Sequence, residues 1–305
     1  MKKFIKNIVI FFLFLLVFGE IIVRVTHSVT DLPQRKIDEY GIQKYYPNQS
    51  GYWKGGNHKW TVNKLGWPGE LPMEYNNLIT IIGDSYIENF MNPNECHQSK
   101  LLKKQLEKYN FIEAGRSGVS FIESLEISKQ FDSLTPVLNL IYVNNNDFYE
   151  SISSIRPLTD ITQLNIEKGE IVYGQMKSPG FKKILYNWKL LYYFYNRFPL
   201  NFSKTQIKTK IKKESVKNAF NFETELKGLI SYAKLNYDIT DKILVFHPKS
   251  QFEIIELCKK AGFKVMLLSS EKDDKSWSFE HDSHWTCYGH SQVAKQVTKF
   301  IKSNP

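Results

Sequence analysis

The stretch LITIIGDSYIEN, residues 78–89, decides the fold of this chain. Its first five residues are aliphatic or β-branched and a glycine ends the run, which predicts a short strand buried on both faces. Gly83, Asp84 and Ser85 follow at once. A serine at the end of a buried strand is a candidate nucleophile, but Asp and Ser also turn the chain and cap helices. The stretch alone leaves both interpretations open.

Strand and helix patterns alternate after this stretch. The predicted strands span residues 78–82, 111–114, 137–143, 242–246 and 263–268. The predicted helices span residues 98–109, 121–131, 216–235, 252–260 and 291–302. This alternation predicts an α/β fold, a doubly wound five-stranded parallel sheet of the flavodoxin-like kind. We expect one domain over residues 78–305, with an insertion at 151–213, and a looped lead-in over residues 29–77.

The N-terminal segment has the form of a targeting sequence. Three lysines within the first six residues precede an unbroken apolar run from Ile8 to Phe18. A cleaved signal peptide and a retained anchor both fit this pattern. No small-x-small cleavage site follows the run, residues 21–25 extend it toward the length of a bilayer, and Glu20 can pair with Arg24. The sequence therefore favours a transmembrane signal anchor over residues 1–28, with the rest of the chain periplasmic or at the cell surface.

The positive charge of the chain is concentrated in two places. Residues 151–213 hold twelve Lys and Arg against three Asp and Glu, and residues 1–30 hold four against one. The net charge of +10 therefore leaves the remainder slightly acidic. This distribution is not that of a nucleic-acid-binding protein, and we expect no nucleic acid among the partners.

The chain has three cysteines, which are too few for a disulfide framework. Cys258 has the pattern of a helix core residue, and a bridge between Cys96 and Cys287 is possible in an exported chain. The sequence has no CxxC pair and no HExxH helix, so it predicts no metal site and no cofactor.

Polar residues follow the strands at the edge where parallel sheets bind ligands. The segments are Gly83-Asp84-Ser85, GRSGVS at residues 115–120, NNND at residues 144–147 and HDSHW at residues 281–285. Together they bring a serine, a glycine turn, an asparagine and a histidine with an aspartate to one edge of the sheet.

Acyl transfer by a serine needs these groups. Serine is a weak nucleophile and must give its proton to a base, here His284, with Asp282 to orient the imidazole. The developing oxyanion needs aimed donors, for which we expect the Ser85 N–H, the Gly118 N–H and the Asn146 side-chain amide. His247 either lines the pocket or is a loop histidine beside Pro248, and His290 is predicted to pack in a helix.

These four segments, in this order, resemble the blocks of the SGNH (GDSL) hydrolase family. The resemblance covers residues 78 to the C-terminus apart from the insertion. Two positions depart from the family pattern: Asn145 stands where a glycine is usual, and His281 stands where the usual Asp-x-x-His motif has its aspartate. The Asp-x-His-Trp form resembles the branch that acetylates or deacetylates envelope polysaccharides.

The resemblance implies an extracytoplasmic esterase or O-acyltransferase that acts on an ester-linked acyl group, most plausibly acetyl, of a cell-envelope carbohydrate. If the chain is a transferase, the resemblance implies a membrane protein partner that supplies the acyl donor. The alternative is a non-catalytic envelope glycan-binding or assembly protein with the same fold.

The insertion predicts a helix over residues 181–198 with an apolar face and with aromatic and basic residues beside it. It is either an amphipathic helix packed on the domain or a lid or platform for an anionic glycan or a lipid headgroup surface. The lysines of residues 204–213 extend the same charge.

Overall fold

The computed structural model describes residues 1–198, 218–271 and 273–304. Within them the strands are β1 Arg35–Ile37, β2 Gln43–Tyr45, β3 Ser50–Tyr52, β4 Lys59–Thr61, β5 Leu78–Gly83, β6 Asn110–Gly115, β7 Leu138–Val143, β8 Gln163–Asn165, β9 Glu170–Val172, β10 Lys242–Phe246, β11 Lys264–Leu267, β12 Ser278–Phe279 and β13 Asp282–Trp285. The α-helices are α1 Lys2–Val25, α2 Ser85–Glu88, α3 Gln98–Lys103, α4 Phe121–Phe131, α5 Asn145–Glu150, α6 Pro179–Asn187, α7 Lys189–Arg197, α8 Asn218–Asn236, α9 Phe252–Ala261 and α10 Cys287–Ser303.

Five strands form the central sheet in the order β11-β10-β7-β5-β6, and every neighbouring pair is parallel. The first strand of the sheet therefore lies between the second and the third. The direction of winding reverses after β6, because β7 pairs with the opposite side of β5. The crevice at the carboxyl ends of the strands therefore opens between β5 and β7. The predicted doubly wound parallel sheet is confirmed.

Apolar side chains cover both faces of the sheet. On β5, Leu78 and Ile82 pack into one core layer, while Ile79 and Ile81 pack into the other. This division follows from the two-residue period of a strand, and all four residues are fully buried. The unbroken aliphatic run in the sequence is thus the run of a central strand covered on both sides.

Several element bounds differ from the sequence prediction. Helix α3 ends at Lys103 rather than near residue 109, because the Lys103 ammonium donates to the carbonyls of Glu107 and Tyr109 and stabilises a turn. Helix α10 starts earlier than predicted, since the Thr286 hydroxyl caps it by accepting from Gly289 N–H. The segment between the last predicted strand and the last predicted helix contains the antiparallel hairpin β12–β13.

The insertion departs most from the prediction. The expected single helix over residues 181–198 is two helices, α6 and α7, which meet at Trp188, a residue with extended backbone angles. Of the two interpretations left open for this segment, packing of the apolar face on the domain applies to little of it, because Leu185 is buried but Phe181, Ile184 and Leu191 are exposed. The predicted helix start at residue 216 and the lysines of residues 204–213 lie outside the described residues.

The lead-in contains two short antiparallel hairpins, β1–β2 and β3–β4. Tyr45, Trp60, Val62 and Phe90 form a small apolar cluster that attaches these hairpins to the segment after α2. The lead-in is therefore packed beside the carboxyl end of β5, where Ser85 lies.

Helix α1 stands largely free of the other elements. It is 24 residues long, its most apolar window has a mean hydropathy of 2.7, and 6% of that window is buried. A helix of this length extends about 36 Å, enough to cross the hydrocarbon core of a bilayer. Membrane anchors and signal sequences share these properties. The predicted pair of Arg24 and Glu20 is present at 2.6 Å.

A disulfide joins Cys96 and Cys287, which are 191 residues apart in sequence. The bridge that the sequence left possible therefore connects the segment before α3 to the first turn of α10. Cys258 is a buried free thiol in α9, as its pattern predicted.

Replacing both Cys96 and Cys287 by Ser is expected to lower the free energy of unfolding by about 2 to 4 kcal/mol, because the bridge closes a long loop in the unfolded chain. Urea denaturation of the full chain in detergent micelles measures the difference. A reducing agent should lower the stability of the wild type to that of the double variant and leave the variant unchanged. Equal stabilities under oxidising conditions would contradict the expectation.

Candidate active site

Ser85 is the first residue of α2 and follows β5 after one intervening residue. That residue, Asp84, is the N-cap of α2: its carboxylate accepts from Tyr86 N–H at 3.0 Å, and its carbonyl accepts from Ile87 and Glu88 N–H. Asp84 therefore forms the predicted turn and cap, while the Ser85 side chain points away from this cap toward His284. The turn and cap therefore come from Asp84, and Ser85 remains the candidate nucleophile.

The short helix α2 lies directly against the end of β6. A Cβ atom at Gly115 would lie 2.3 Å from the Glu88 backbone nitrogen, so only glycine permits this approach. The glycine at the end of β6 thus fixes how closely α2, and with it Ser85, sits over the sheet.

Ser85, His284 and Asp282 lie in hydrogen-bonding order. The distance from Ser85 Oγ to His284 Nε2 is 2.7 Å, and His284 Nδ1 is in close hydrogen-bond contact with Asp282 Oδ1. Asp282 Oδ1 also accepts from the His284 backbone N–H at 2.9 Å. Residues 282 and 284 are two apart on β13, so their side chains leave the same face of the strand.

The Asp282 carboxylate holds the imidazole in one orientation. The hydrogen bond from the His284 backbone N–H is the main cause that lowers the pKa of Asp282 below its ordinary value. Asp282 is therefore an anion at neutral pH and accepts a hydrogen bond from the proton on His284 Nδ1. With Nδ1 protonated, Nε2 can accept the proton of Ser85.

His281 takes no part in this arrangement. It lies in the turn between β12 and β13, its side chain is 89% exposed, and its Nε2 lies 4.0 Å from the Glu280 carboxylate. His281 stands where the resembled family has its aspartate, and its side chain points to solvent. The carboxylate that contacts His284 belongs to the next residue, Asp282.

Aromatic side chains surround the imidazole of His284. The Tyr86 ring lies 5.2 Å from that of His284, and its hydroxyl donates to the Ser283 carbonyl at 3.3 Å. Tyr86 also packs on Trp285 and on His247, which lines the cleft beside Ser85. Burial lowers the pKa of His247 to about 4, so it is a neutral side chain of the cleft wall.

Three candidate oxyanion donors face the same cleft as Ser85 Oγ. Gly118 has a positive φ of 82°, a conformation that favours glycine. Within the part of the chain that the structure describes, the Ser85 and Gly118 backbone N–H groups and the Asn146 side-chain amide have no hydrogen-bond partner. These groups are free to donate to an oxygen that develops negative charge.

Buried charges fix the glycine loop that carries Gly118. Arg116 is 1% exposed, its guanidinium pairs with Glu123 at 2.6 Å, and it donates to the Ser117 carbonyl at 2.8 Å. The Ser117 N–H donates to Glu88 at 2.8 Å. Removing one partner of a buried pair leaves the other charge uncompensated, so this pair holds the loop firmly. Arg116 and Glu123 were not predicted as a pair, because they face each other only once the loop has turned into α4.

A second polar network lies beneath Ser85. Asn144 caps α5 and donates through Nδ2 to Asp84 at 3.0 Å and to Asp147 at 3.2 Å. Burial raises the pKa of Asp84 to about 6, and burial followed by the charge of Asp84 raises the pKa of Asp147 well above its ordinary value. The role of Asn144 was not predicted, although it begins the NNND segment.

The unusual Asn145 also has defined partners. Its Oδ1 accepts from Gln251 N–H at 2.8 Å, and its Nδ2 donates to the Lys249 carbonyl at 3.4 Å. The asparagine in place of glycine therefore ties the start of α5 to the loop after β10, one residue before Asn146.

Two other histidines are buried away from Ser85. His290 accepts at Nδ1 from Gln98 at 3.1 Å, and burial lowers its pKa to about 3. His97 contacts the Glu113 carboxylate at 2.6 Å. His290 thus lies in the packed interior, as its position in a helix suggested, while the His97–Glu113 pair had no signal in the sequence.

Ser85 and His284 stand between two clefts. One cleft, of about 670 Å³, lies between the lead-in and the insertion, and the other, of about 680 Å³, lies between the ends of β7 and β10. The first is lined by basic and aromatic residues, among them Arg35, Trp53, Lys182, Lys183 and Tyr186. The second is lined by polar and acidic residues, among them Asn144, Asn146, Asp147, Tyr149 and Glu150. Among the described residues, no group of three or more His, Cys, Asp or Glu side chains is placed to hold a metal ion.

No protein-family model matches the sequence, and no curated protein matches it either. Solved structures with a similar fold include a putative lipolytic protein of the G-D-S-L family from Desulfitobacterium hafniense, with a TM-score of 0.39, 12% identity and coverage of 73% of this chain and 99% of that one. Others are TesA, with a TM-score of 0.38, 12% identity and coverage of 74% and 98%, and LAE5, described as an alpha/beta hydrolase enzyme from the metagenome of Lake Arreo, with a TM-score of 0.37, 10% identity and coverage of 74% and 95%.

Replacing Asp282 by Ala is expected to lower kcat/KM for an activated ester by about 10² to 10⁴-fold, because the imidazole loses the anion that fixes its tautomer. His281→Ala is the matched control, one residue away, and should keep the wild-type rate. Steady-state hydrolysis of p-nitrophenyl acetate measures both. Comparable losses in the two variants, or a loss in His281→Ala alone, would show that the carboxylate is assigned wrongly.

Proposed function

We propose that the chain is an SGNH-type serine esterase or O-acyltransferase. The observation that carries this proposal is the 2.7 Å contact of Ser85 Oγ with His284 Nε2, with Asp282 on the far side of the same imidazole. A hydroxyl, a base and an orienting carboxylate in this order are the groups that acyl transfer requires.

The reaction begins when Ser85 Oγ attacks the ester carbonyl and its proton passes to His284 Nε2. The carbonyl oxygen becomes an oxyanion, which the Ser85 N–H, the Gly118 N–H and the Asn146 amide stabilise. The tetrahedral intermediate collapses, the alcohol leaves with the proton from His284, and the acyl group stays on Ser85. Water or a sugar hydroxyl then gives its proton to His284 and attacks the acyl carbonyl. The second tetrahedral intermediate collapses, Ser85 Oγ leaves with the proton from His284, and the acid or the acylated sugar is released.

The substrate that we propose is a cell-envelope carbohydrate bearing an ester-linked acyl group, with acetyl the best candidate. The first cleft supports this choice, since Trp53 and Tyr186 offer aromatic faces and Lys182 and Lys183 offer donors beside Ser85. If the acceptor is a sugar rather than water, a membrane protein that supplies the acyl donor completes the system.

We also propose that α1 is a retained anchor that holds the site outside the cytoplasm. The Glu20 carboxylate accepts from the N–H groups of Lys189 and Leu190 at 3.0 and 2.6 Å, and Arg24 donates to the Asn187 carbonyl at 2.6 Å. Cleavage at the end of α1, after residue 25, would remove the Glu20 carboxylate that caps α7. This contact supports retention, and the three N-terminal lysines support a cytoplasmic N-terminus.

A fluorophosphonate probe should label the wild type and fail to label Ser85→Ala, because the probe forms a covalent bond with an activated serine. Ser283→Ala is the control, since Ser283 is an exposed neighbour of His284 and should leave labelling intact. Labelling is read by in-gel fluorescence and by peptide mass. A folded wild type that is not labelled would favour the glycan-binding alternative.

The choice between hydrolase and transferase is decided by the fate of the acyl group. Wild-type protein incubated with acetylated envelope glycan is expected to release acetate or, when an oligosaccharide is added, to pass acetyl to it, and mass spectrometry with an enzymatic acetate assay quantifies both products. Ser85→Ala should yield neither product. Absence of both with the wild type would contradict the proposed acetyl substrate.

A further inference from the structure

Helices α6 and α7 expose an apolar surface that the rest of the described chain leaves open. Each helix has nine residues, and of these only Leu185 and Lys189 are buried. Ile184, Phe194 and Phe198 are 60%, 48% and 64% exposed. Two short helices that bury so few side chains have little stability in water. An exposed apolar surface of this kind marks an interaction site.

The contact with α1 fixes where this surface lies. Along α1, Arg24 contacts Asn187, Glu20 contacts Lys189 and Leu190, and Gly19 faces Leu190, whose Cδ2 would lie 3.1 Å from a Cβ at that glycine. Successive residues from 187 to 190 therefore contact α1 residues of decreasing number, so this segment runs antiparallel to α1. Helix α7 starts beside the C-terminal turns of α1 and runs back toward its apolar segment.

The two exposed apolar surfaces are thus continuous. The side chains of α1 from Ile8 to Phe18 are exposed almost throughout, and α7 leads from Glu20 in their direction with Leu191, Phe194 and Phe198 on its outer side. Lys182, Lys183 and Arg197 lie among these aromatic residues. Aromatic rings next to basic side chains are the composition of helices that lie in the membrane interface.

We propose that α6 and α7 form a second membrane contact, which lies in the headgroup and upper acyl region of the outer leaflet beside α1. Phe194 and Phe198 enter the lipid, and the Arg197 side chain faces anionic headgroups. The pair then needs no further protein to cover its apolar surface.

This placement also names the substrate class, a step that rests on the proposed function. Gly180, Lys182, Lys183 and Tyr186 of α6 line the same cleft as Ser85 and His284. One wall of the cleft is therefore part of the membrane contact, and the cleft opens along the bilayer surface. The ester substrate is one carried by a molecule that is anchored in the bilayer or adsorbed to it.

Depth-dependent fluorescence quenching tests the membrane contact without any need for activity. The environment-sensitive dye NBD is attached to the full chain at Phe194→Cys or, as the control, at Lys260→Cys, which is exposed at the end of α9. Both labelled proteins are reconstituted in vesicles of phosphatidylcholine with an anionic lipid, phosphatidylglycerol. Lipids with a nitroxide near the headgroup should quench the dye at position 194 about twofold or more and leave it unquenched at position 260. Equal, weak quenching at both positions would overturn the proposal.

A pair of esters tests the substrate class. Phe194→Ser combined with Phe198→Ser should lower the rate on an acylated lipid-linked sugar in vesicles roughly tenfold and leave the rate on soluble p-nitrophenyl acetate unchanged. If the double variant cleaves the lipid-linked ester as fast as the wild type does, the proposal of a surface-bound substrate is wrong. If the wild type cleaves neither ester, the proposed function and the substrate class fail together, whereas the quenching result still decides the membrane contact.

Discussion

The site depends on one long-range constraint, the attachment of the β12–β13 hairpin to the segment that begins at Ser85. Ser85 and His284 are 199 residues apart in sequence. Further contacts join residues 85–96 to the hairpin and to the start of α10, among them the Cys96–Cys287 disulfide, the hydrogen bond from Asn92 to the Trp285 carbonyl at 2.9 Å, and the one from Tyr86 to the Ser283 carbonyl. These contacts hold the His284 imidazole beside Ser85 in the free protein, which is the preorganisation that the proposed chemistry requires.

Elements outside the central sheet form a wall of the cleft beside Ser85. The sheet presents Ser85 at its switch point, as open α/β folds do. The wall of the basic cleft comes instead from the lead-in, through residues such as Trp53, and from α6. Since α7 is joined to α1 through Glu20, the cleft wall and the apolar helix form one connected unit. The Ser85–His284 contact and the wall of the basic cleft thus come from separate parts of the chain.

The sequence predicted what depends on local pattern and on strand ends. The five strands, the parallel sheet and the approach of Ser85, Asp282 and His284 all follow from aliphatic runs that end in polar residues. The Arg116–Glu123 pair and the Asn144 bridge between Asp84 and Asp147 did not follow, because each depends on side chains that meet only after the loops have folded. The break at Trp188 was missed for the same reason, since the cap that starts α7 comes from Glu20, far away in sequence.

The most direct test of the account is an experimental structure of the protein after reaction with a small organophosphonate. The account predicts continuous density from Ser85 Oγ to phosphorus, with the phosphoryl oxygen within hydrogen-bonding distance of the Ser85 N–H, the Gly118 N–H and the Asn146 amide, and His284 still against Asp282. A protein that remains unmodified at Ser85, or an adduct whose oxygen points away from these three donors, would contradict it.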